Sequence, residues 1–579
     1  MSNDEVETQQ THHAFLVAWG RFAEQIGLLE GIRAVKLKQK KYTHKPQTKV
    51  LQFLVANLSG LRQLQEISLA AHPLDKDLAV AQAWGQPAWA DYTGVSRTLR
   101  TLSWDEVQAL VQVLERIGQP FLDAELRLLS ARGQRLRLDG DLTGIPVSNS
   151  STTYPGAAFG HMDDEIRLGY QAGVVSMSSP TYGRLWLSVA HRPGDTVSCT
   201  QAEALVLAAE ARLGRRPRRR TELLRQRIEA VQEQVDQAQQ RVHTQQQAVE
   251  SAECRLVEAH QQEQERETTL EELAKRYQER QRQERPTSRL AQARRRLQTA
   301  RRRCQSRGKA SLIAKRRLAK SQARLAQQQA ELAHLQQRLE RFEQDNAANP
   351  DPVEVEFRLD AGFGTYDNIA LLIEMGYELY IKPYSHQVTR HLRGQVNDQT
   401  TWQRVGANAE MVAWRARQLR HCPYPLDVAL ERFYTGTTLK HSTLLHFGSD
   451  PVTEDLPGWF AEYNGRQTIE AGVKEGKQVF YLQRIKVRSE PAIYLQECFV
   501  LFAANFIRWA TLWLAEQNPP AAAVLNVRKM GIKRQVQVAA HVSAQVSRGS
   551  EGWLLRFSET STFAGQALKV PGGAYSPPG

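Results

Sequence analysis

Tyr463, Arg466, Glu470 and Lys477 combine an aromatic hydroxyl, two cations and one carboxylate at short, fixed spacings. On a helix that turns about 100° per residue, the four side chains fall within roughly 60° of arc, on a face with no apolar residue to bury. A carboxylate flanked by cations suits a site that holds a divalent metal and grips phosphates. The alternative is a solvated helix face, stabilised by pairing between residues three or four positions apart.

Two aspartates at predicted strand ends could join this helix. Residues 134–142 alternate apolar and polar side chains as a half-buried strand does, ending in Asp141 with Asp139 on the same side. Residues 353–360 form a second alternating strand, which ends in Asp360 before a glycine-rich turn. Carboxylates at strand ends reach the crevice where open α/β sheets bind ligands. Either aspartate alone also fits a turn or a helix cap.

Taken together, these motifs resemble the DDE transposases of bacterial insertion sequences, in particular the cut-and-paste group named after insertion sequence four. The resemblance rests on the Y-(2)-R-(3)-E-(6)-K spacing, on a D-x-T element at Asp141, and on an R-x-D-x-G-F pattern from Arg358 to Phe363. It favours Asp141 over Asp139 as the first acid because Thr143 completes D-x-T. Asp139 remains the alternative, since its side chain points the same way.

The resemblance implies a Mg²⁺-dependent enzyme that cuts terminal inverted repeats and joins their 3′-ends to target DNA. Asp141, Asp360 and Glu470 would be the catalytic residues and would hold two Mg²⁺ ions, with Mn²⁺ as the alternative ion. Tyr463, Arg466 and Lys477 would grip phosphates of the double-stranded DNA near the cut. The protein would act as a homodimer that pairs two transposon ends.

Two other functions stay open. One is a catalytically inactive, transposase-derived protein that binds or organises DNA, although the presence of all three acids argues against it. The other is a nuclease that cannot transfer strands.

Composition bounds the compartment and the partners. The 579 residues carry 76 Lys and Arg against 62 Asp and Glu. Residues 215–345 hold 31 of the basic and 18 of the acidic side chains, so the rest of the chain is near neutral.

Five scattered cysteines without a C-x-x-C pair predict neither a disulfide framework nor a zinc site, as in a reducing cytosol. The polar start predicts no secretory signal, and the apolar run 499–514 is too short and polar to span a bilayer. We expect a cytoplasmic protein at the bacterial nucleoid, with no membrane partner.

The expected fold is α/β, with a ribonuclease-H-like catalytic core, a helical N-terminal domain, a long antiparallel coiled-coil hairpin insertion and a second, β-containing insertion. The resemblance implies this core, because the periodicity alone allows other α/β sheets. The expected segments are a helical DNA-binding module at 1–130, core parts at 131–217, 346–384 and 457–520, the hairpin at 218–345, the second insertion at 385–456 and a short-strand tail at 521–579.

The N-terminal module is predicted from helical spacing of its apolar residues. Six lysines and no acid lie between Lys36 and Lys49, and Lys36, Lys38, Lys40 and Lys41 are candidate DNA contacts. The alternative is a helical cap on the core with a solvated lysine loop.

The hairpin is predicted from heptad patterning in two arms. The break at Pro286 to Ser288 divides arms of similar length, and Gln305 to Gly308 offers a second turn. From Arg289 to Arg324 there are fourteen Lys and Arg and no acid, which favours contact with DNA phosphates. Acids of the first arm, or the hairpin of a partner, are the other candidates for this charge. The candidate DNA contacts here are Arg294, Arg295, Arg296, Arg301, Arg302, Arg303, Arg316 and Arg317.

Trp402 lies in the second insertion. By the same resemblance, an aromatic ring there stacks on a base drawn out of the duplex, an interaction worth about 1–3 kcal/mol. The alternative is a tryptophan of the protein core.

Overall fold

A computed structural model describes residues 8–39, 43–148, 154–162, 165–521, 523–549, 552–573 and 575. The chain divides into two compact units. The first comprises Met1–Arg218 with Asp351–Gly579, and the second comprises Arg219–Pro350.

The first unit is mixed α/β. Its strands are β1 (Thr8–Thr11), β2 (Leu136–Pro146), β3 (Ala158–Met162), β4 (Glu165–Ser179), β5 (Gly183–Pro193), β6 (Val355–Leu359), β7 (Glu378–Ile381), β8 (Gln403–Arg404), β9 (Ala409–Arg417), β10 (Leu426–Thr435), β11 (Thr438–Phe447), β12 (Ala544–Gly549), β13 (Gly552–Phe557) and β14 (Ala567–Pro571). The helices of both units are α1 (Ala14–Gln25), α2 (Leu28–Ala34), α3 (Pro46–Leu58), α4 (Glu66–Leu69), α5 (Leu78–Ala83), α6 (Tyr92–Arg100), α7 (Trp104–Ala131), α8 (Ala202–Leu213), α9 (Thr221–Glu279), α10 (Arg289–Ala347), α11 (Tyr366–Glu374), α12 (His386–Arg393), α13 (Leu456–Asn464), α14 (Gln467–Gln478), α15 (Glu490–Gln517) and α16 (Ile532–Gln537).

One ten-stranded sheet organises the first unit. Its order is β3-β4-β2-β6-β7-β11-β10-β9-β8, and β5 also pairs with β4. The pairs β2–β6 and β6–β7 are parallel, whereas β4 is antiparallel to both β2 and β5. The alternating segments that predicted strands at 134–142 and 353–360 both lie in this sheet, although β2 continues four residues further, to Pro146.

The strands of the predicted second insertion extend the same sheet. β11 pairs antiparallel with β7, with Leu445 opposite Ile381, and β10, β9 and β8 follow in order. A hydrophobic cluster under these strands includes Met411, Leu444 and Trp459, so it joins the inserted strands to α13.

Helix α15 is the central helix of the first unit. It packs against β5, α3 and α7. Within the described residues it is the one helix long and apolar enough to cross a membrane, yet 83% of its most apolar stretch is buried inside the protein. The apolar run 499–514 therefore belongs to a helix of 28 residues, longer than the run itself, that is buried in the protein core.

Aromatic contacts attach the N-terminal helices to α15. The rings of Phe121 on α7 and Trp509 on α15 stack with centroids 4.1 Å apart, and Phe22 on α1 contacts Trp513. The N-terminal helices therefore share their core with the C-terminal third of the chain.

The C-terminal tail forms a second, four-stranded sheet. Its order is β1-β12-β13-β14, and Gln9 lies opposite Val546. The tail thus pairs with the N-terminal segment, a long-range pairing for which the sequence gives no local sign.

The second unit contains two helices of 59 residues each, about 88 Å long at 1.5 Å per residue. They pack along each other, burying Leu224, Val231 and Val235 of α9 and Leu335 and Phe342 of α10. The connection contains Pro286, and Ser288 caps α10 by accepting a hydrogen bond from the Ala291 amide at 3.2 Å. The turn predicted at Pro286 is confirmed, and the alternative at 305–308 is wrong, because those residues lie inside α10.

A backbone hydrogen bond joins the two places where the first unit is interrupted. The Val353 amide donates to the Arg216 carbonyl at 3.2 Å. Arg215 and Asp351 form an ion pair beside it, at 2.5 Å. The chain of the first unit therefore stops and resumes at a single point.

Candidate active site

The parallel pairing of β2 and β6 sets two aspartates side by side. Asp139 of β2 lies opposite Arg358 of β6. Continuing this register by two residues places Asp141 opposite Asp360, which directly follows β6. Asp141 lies inside β2 and not at its end, but it lies beyond the last residue of β2 that pairs with β6. Asp141 therefore lies at the point where β6 stops, beside the residue that follows it, Asp360.

A short turn fixes Asp360. Its Oδ1 atom accepts a hydrogen bond from the Gly362 amide at 2.9 Å, which caps a turn of 3-10 helix at Ala361–Phe363. A side chain at Gly362 would bring Cβ within 2.9 Å of the Ser198 hydroxyl oxygen and 3.1 Å of Asp360 Oδ1. Glycine at this position leaves room for Asp360 Oδ1 to accept the hydrogen bond from its own turn. The other oxygen, Oδ2, lies near Arg466.

Glu470 lies in the first turn of α14, which packs tightly on the sheet. Ile469 is buried, and a Cβ at Gly472 would lie 2.3 Å from the guanidinium carbon of Arg184 on β5. The helix predicted over 463–477 is interrupted at Gly465 and Arg466. Around this break the Arg466 amide bonds to the Tyr463 carbonyl at 3.1 Å, and the Ile469 amide bonds to the Arg466 carbonyl at 2.9 Å. The tighter three-residue spacing of these bonds joins α13 to α14.

The guanidinium of Arg466 contacts all three acids. Its NH2 atom lies 3.6 Å from Asp141 Oδ1 and 3.6 Å from Asp360 Oδ2, so these two oxygens are at most twice that distance apart. Its NH1 atom donates to Glu470 Oε1 at 2.9 Å. Three acids separated by up to 329 positions of sequence thus surround one guanidinium.

The charges of this cluster shift the ionisation of Asp141. The pKa of Asp141 is raised to about 6, chiefly by burial; the neighbouring carboxylates of Asp360 and Glu470 contribute to the rise, and Arg466 opposes it. The acids in turn raise the pKa of Arg466 against the effect of its burial. Such a carboxylate cluster releases its proton most readily when additional positive charge is supplied.

Asp139 is held by a different partner. Arg358 donates to both of its carboxylate oxygens, at 2.7 Å and 2.8 Å, and both side chains are almost fully buried. Arg358 also donates to the side chain and the carbonyl of Glu462, at 3.0 and 3.1 Å. This arginine therefore connects both strands to α13, and the alternative first acid has a structural partner.

A cleft of about 1010 Å³ opens beside the acids. Asp141 and Glu470 line it, together with Gly362, which neighbours Asp360. Lys474 and Lys477 of α14 add cations to the same walls, whereas Asp195 adds one further acid. The cleft is thus open to a large anionic substrate on the side where the three carboxylates meet.

Tyr463 and Arg466 are buried, which the helical face drawn from the sequence did not predict. Burial raises the pKa of Tyr463 well above its ordinary range. The ammonium of Lys382, just after β7, lies 5.1 Å from the centre of the Tyr463 ring. Burial lowers the pKa of Lys382, and the carboxylate of Glu431 on β10 opposes this effect. Lys382 and Glu431 are site neighbours that the sequence did not reveal, since neither belongs to a local motif.

Other predicted DNA contacts lie apart from the acids. Lys36 and Lys38 are exposed between α2 and α3, and Lys40 and Lys41 lie outside the described residues. Trp402 is half-buried under the guanidinium of Arg432, 4.1 Å from its ring centre, and is not among the described residues that line the cleft.

All the arginines predicted to contact DNA from the second unit are exposed: Arg294, Arg295, Arg296, Arg301, Arg302, Arg303, Arg316 and Arg317. Some of this charge is neutralised within the hairpin, because Arg301 pairs with Glu267 at 2.6 Å and Arg294 pairs with Glu284 at 3.0 Å. Within the described part of the chain, four of them show neither an ion pair nor a hydrogen bond: Arg296, Arg302, Arg316 and Arg317.

A second acidic group lies on β6, β7 and the loop after β11. Glu356, Glu378 and Asp450 come close enough to share an ion, but Arg135 already contacts all three, at 2.8 to 3.4 Å. The contacts raise the pKa of Arg135 above its usual range despite partial burial. This group is a structural ion-pair network.

The arrangement at Arg466 is therefore the strongest candidate for chemistry. Three oxygen donors from separate elements converge beside an open, lysine-lined cleft. In comparisons with known proteins, no protein-family model matches this chain, and no curated protein is significantly similar to it.

Proposed function

We propose that this protein is a DDE-type DNA transposase, which cuts transposon ends by metal-dependent hydrolysis and joins the 3′-ends to target DNA. The observation that carries the proposal is the convergence of Asp141, Asp360 and Glu470 on Arg466. The motifs that resemble the transposase signature supply these same three acids.

Sheet topology supports the corresponding core. Five of the strands lie in the order β5-β4-β2-β6-β7. The three that come first along the chain, β2, β4 and β5, pair antiparallel, and β6 and β7 then run parallel to β2. This is the succession expected of a ribonuclease-H-like fold. Here β3 and β8–β11 would be additions to that core, and the second unit would be an insertion between α8 and β6.

The donor set fits divalent magnesium. Asp141, Asp360 and Glu470 offer only hard oxygen atoms, and a guanidinium already lies among them, so the site accommodates positive charge. When bound, two such ions activate a water or a 3′-hydroxyl and stabilise the leaving oxygen. Mn²⁺ satisfies the same ligands.

The residues of the chain would then have separate tasks. Arg466 would hold the three carboxylates together before the ions bind, since it contacts each of them. Lys474 and Lys477 would attract the phosphates of double-stranded DNA into the cleft. Lys382 would orient Tyr463 from beneath, through its contact with that ring. A homodimer on paired ends, at the nucleoid in the cytoplasm, completes the proposal.

The test is Mg²⁺-dependent nicking of a duplex that carries the DNA flanking the gene, where inverted repeats would lie. Asp360→Asn should abolish nicking and leave DNA binding nearly intact. The matched control is Asp195→Asn, which removes an acid from the same cleft without touching Arg466. Nicking that survives Asp360→Asn would refute the assignment.

A second function has one observation in its favour. The four unpaired arginines of the second unit could bind DNA without any catalysis, as in an inactive protein derived from a transposase. If the wild-type protein binds but cuts no duplex with Mg²⁺ or Mn²⁺, this alternative replaces the first. Supplying pre-cut ends and a plasmid target separates a transposase from a nuclease, because only the former joins them.

A further inference from the structure

Three side chains with metal-binding atoms meet across the two arms of the second unit. His260 and Glu263 lie one turn apart on α9, and Cys304 faces them from α10. One donor atom of each lies within 4.8 Å of the others. Cys304 is 7% exposed, whereas His260 is at the surface. The thiol is therefore inside the seam between the helices, and an ion could reach it from the imidazole side.

The distances fit a tetrahedral ion. Cys304 Sγ lies 3.2 Å from His260 Nδ1 and 3.5 Å from Nε2. With Zn–S near 2.3 Å and Zn–N near 2.0–2.1 Å, a tetrahedral angle requires sulfur and nitrogen to be about 3.5 Å apart. Cys304 Sγ and His260 Nε2 thus already have the separation that a shared zinc ion imposes. A thiol–imidazole hydrogen bond alone is the simpler account, and it would not require a carboxylate beside the pair.

The third donor is available without breaking the local structure. Glu263 contacts Arg301 at 3.5 Å, but Arg301 has a closer partner in Glu267, at 2.6 Å. Arg301 can therefore keep an ion pair when Glu263 turns to a metal. All three donors lie on long helices, which fix their backbone positions.

We propose that Cys304, His260 and Glu263 bind one Zn²⁺ ion, or a similar borderline divalent cation, with water at the fourth position. A sulfur, nitrogen and oxygen donor set selects such an ion over Mg²⁺. The ion clips α9 to α10 in the half of the arms nearer their connection. The site is chemically distinct from the three-carboxylate cluster, and it does not depend on the proposed transposase activity.

At this position a bound ion would stabilise the most basic part of α10. Cys304 follows Arg301, Arg302 and Arg303, in the stretch of α10 without any acid. Crowded like charges repel one another along this stretch of α10, and a bound metal would hold the stretch against α9 because its ligands come from both arms. It would keep the arginine surface ordered when no polyanion is present.

The experiment titrates Co²⁺ into the full-length, metal-free protein under reducing conditions. A thiolate-to-cobalt charge-transfer band should grow in and saturate near one equivalent. It should vanish in Cys304→Ser and persist in two controls, Cys254→Ser on the same helix pair and Cys199→Ser in the cleft near the carboxylates. Zn²⁺ should displace the cobalt and erase the band.

Two further variants test the site in case Cys304→Ser does not fold. His260→Gln and Glu263→Gln change exposed or half-exposed side chains, and each should weaken Zn²⁺ binding. Removing a residue that hydrogen-bonds a metal ligand typically lowers the metal affinity by about 10–100-fold. Removing the ligand His260 itself should therefore lower the Zn²⁺ affinity by more than about 100-fold. No band in the wild-type protein, or a band that survives Cys304→Ser, would overturn the proposal.

Discussion

Arg358 donates two hydrogen bonds to Asp139, at 2.7 and 2.8 Å, and thereby binds the carboxylate that competes with Asp141 for the first position of the triad. The two aspartates share one side of β2 but have different partners. Asp139 belongs to a buried ion pair, whereas Asp141 faces the cleft and Arg466.

Substitutions of the two aspartates should therefore affect different properties: the stability for Asp139 and the cleavage activity for Asp141. Asp139→Ala leaves the buried Arg358 with Glu462 as its remaining acidic partner, and we expect a loss of up to about 3–5 kcal/mol in the free energy of unfolding. Asp141→Asn removes one of several crowded carboxylates, so its stability should be unchanged or higher, while cleavage should be lost. Urea denaturation with a cleavage assay on both variants tests this pair. Equal destabilisation by the two would contradict it.

Magnesium binding should depend on pH through Asp141, whose pKa of about 6 belongs to the metal-free protein. Because its ordinary value is near 3.8, the folded state keeps a proton that the unfolded chain has lost between about pH 4 and 6, so stability falls as pH rises through this window. Mg²⁺ requires the carboxylate, so its affinity should increase up to about tenfold per pH unit below 6 and level off above 7. Calorimetric titration from about pH 5 to 8 measures this, with Asp141→Asn as the control. The same affinity at both ends of the range would rule out the assignment.

Arg466→Ala should make the fold depend on magnesium. Without the guanidinium, three carboxylates repel one another, and the free energy of unfolding should fall by about 2–3 kcal/mol in metal-free buffer. Saturating Mg²⁺ should restore most of this loss, since a ligand at 100 times its dissociation constant adds about 2.7 kcal/mol. The measurement is thermal unfolding with and without Mg²⁺. A shift no larger than that of the wild-type protein would refute the role of Arg466 as the resident counter-ion.

DNA binding by the second unit should appear in the salt dependence of the affinity. Replacing Arg296, Arg302, Arg316 and Arg317 by Gln should lower the slope of log affinity against log salt by up to about 0.9 for each phosphate that is no longer neutralised. The control is Arg225→Gln with Arg227→Gln, whose guanidinium groups already pair with glutamates on the hairpin. An unchanged slope would direct attention to the hairpin of a partner, and sedimentation of the same variants would detect that association.

Local sequence patterns predicted the elements that carry the site. Alternation located β2 and β6, and the proline at 286 located the hairpin connection. The helical break at Gly465 was not predicted, because the motif alone does not distinguish a continuous helix from one joined by tighter turns. Likewise, the burial of Arg466 was not predicted, because Asp141 and Asp360 reach it from segments that are distant in the sequence.

Pairings between distant residues account for the other differences. Lys382 meets Tyr463, and Cys304 meets His260, only after strands or helices have packed. The cysteine spacing suggested no metal site because these donors are neighbours in space and not along the chain. Once the hairpin connection is known, residues at similar distances on either side of it become the candidates.

The hydrogen bond between Val353 and Arg216 also bears on the order of folding. The parallel partners β2 and β6 are more than 200 positions apart, and closing so long a loop at random is slow. The intervening helices need only local contacts to zip together, and once they have done so, the two flanking segments are already neighbours. We therefore expect the insertion to convert a remote encounter into a short-range one, so that the β2–β6 pairing around the acids forms without a search across the whole chain.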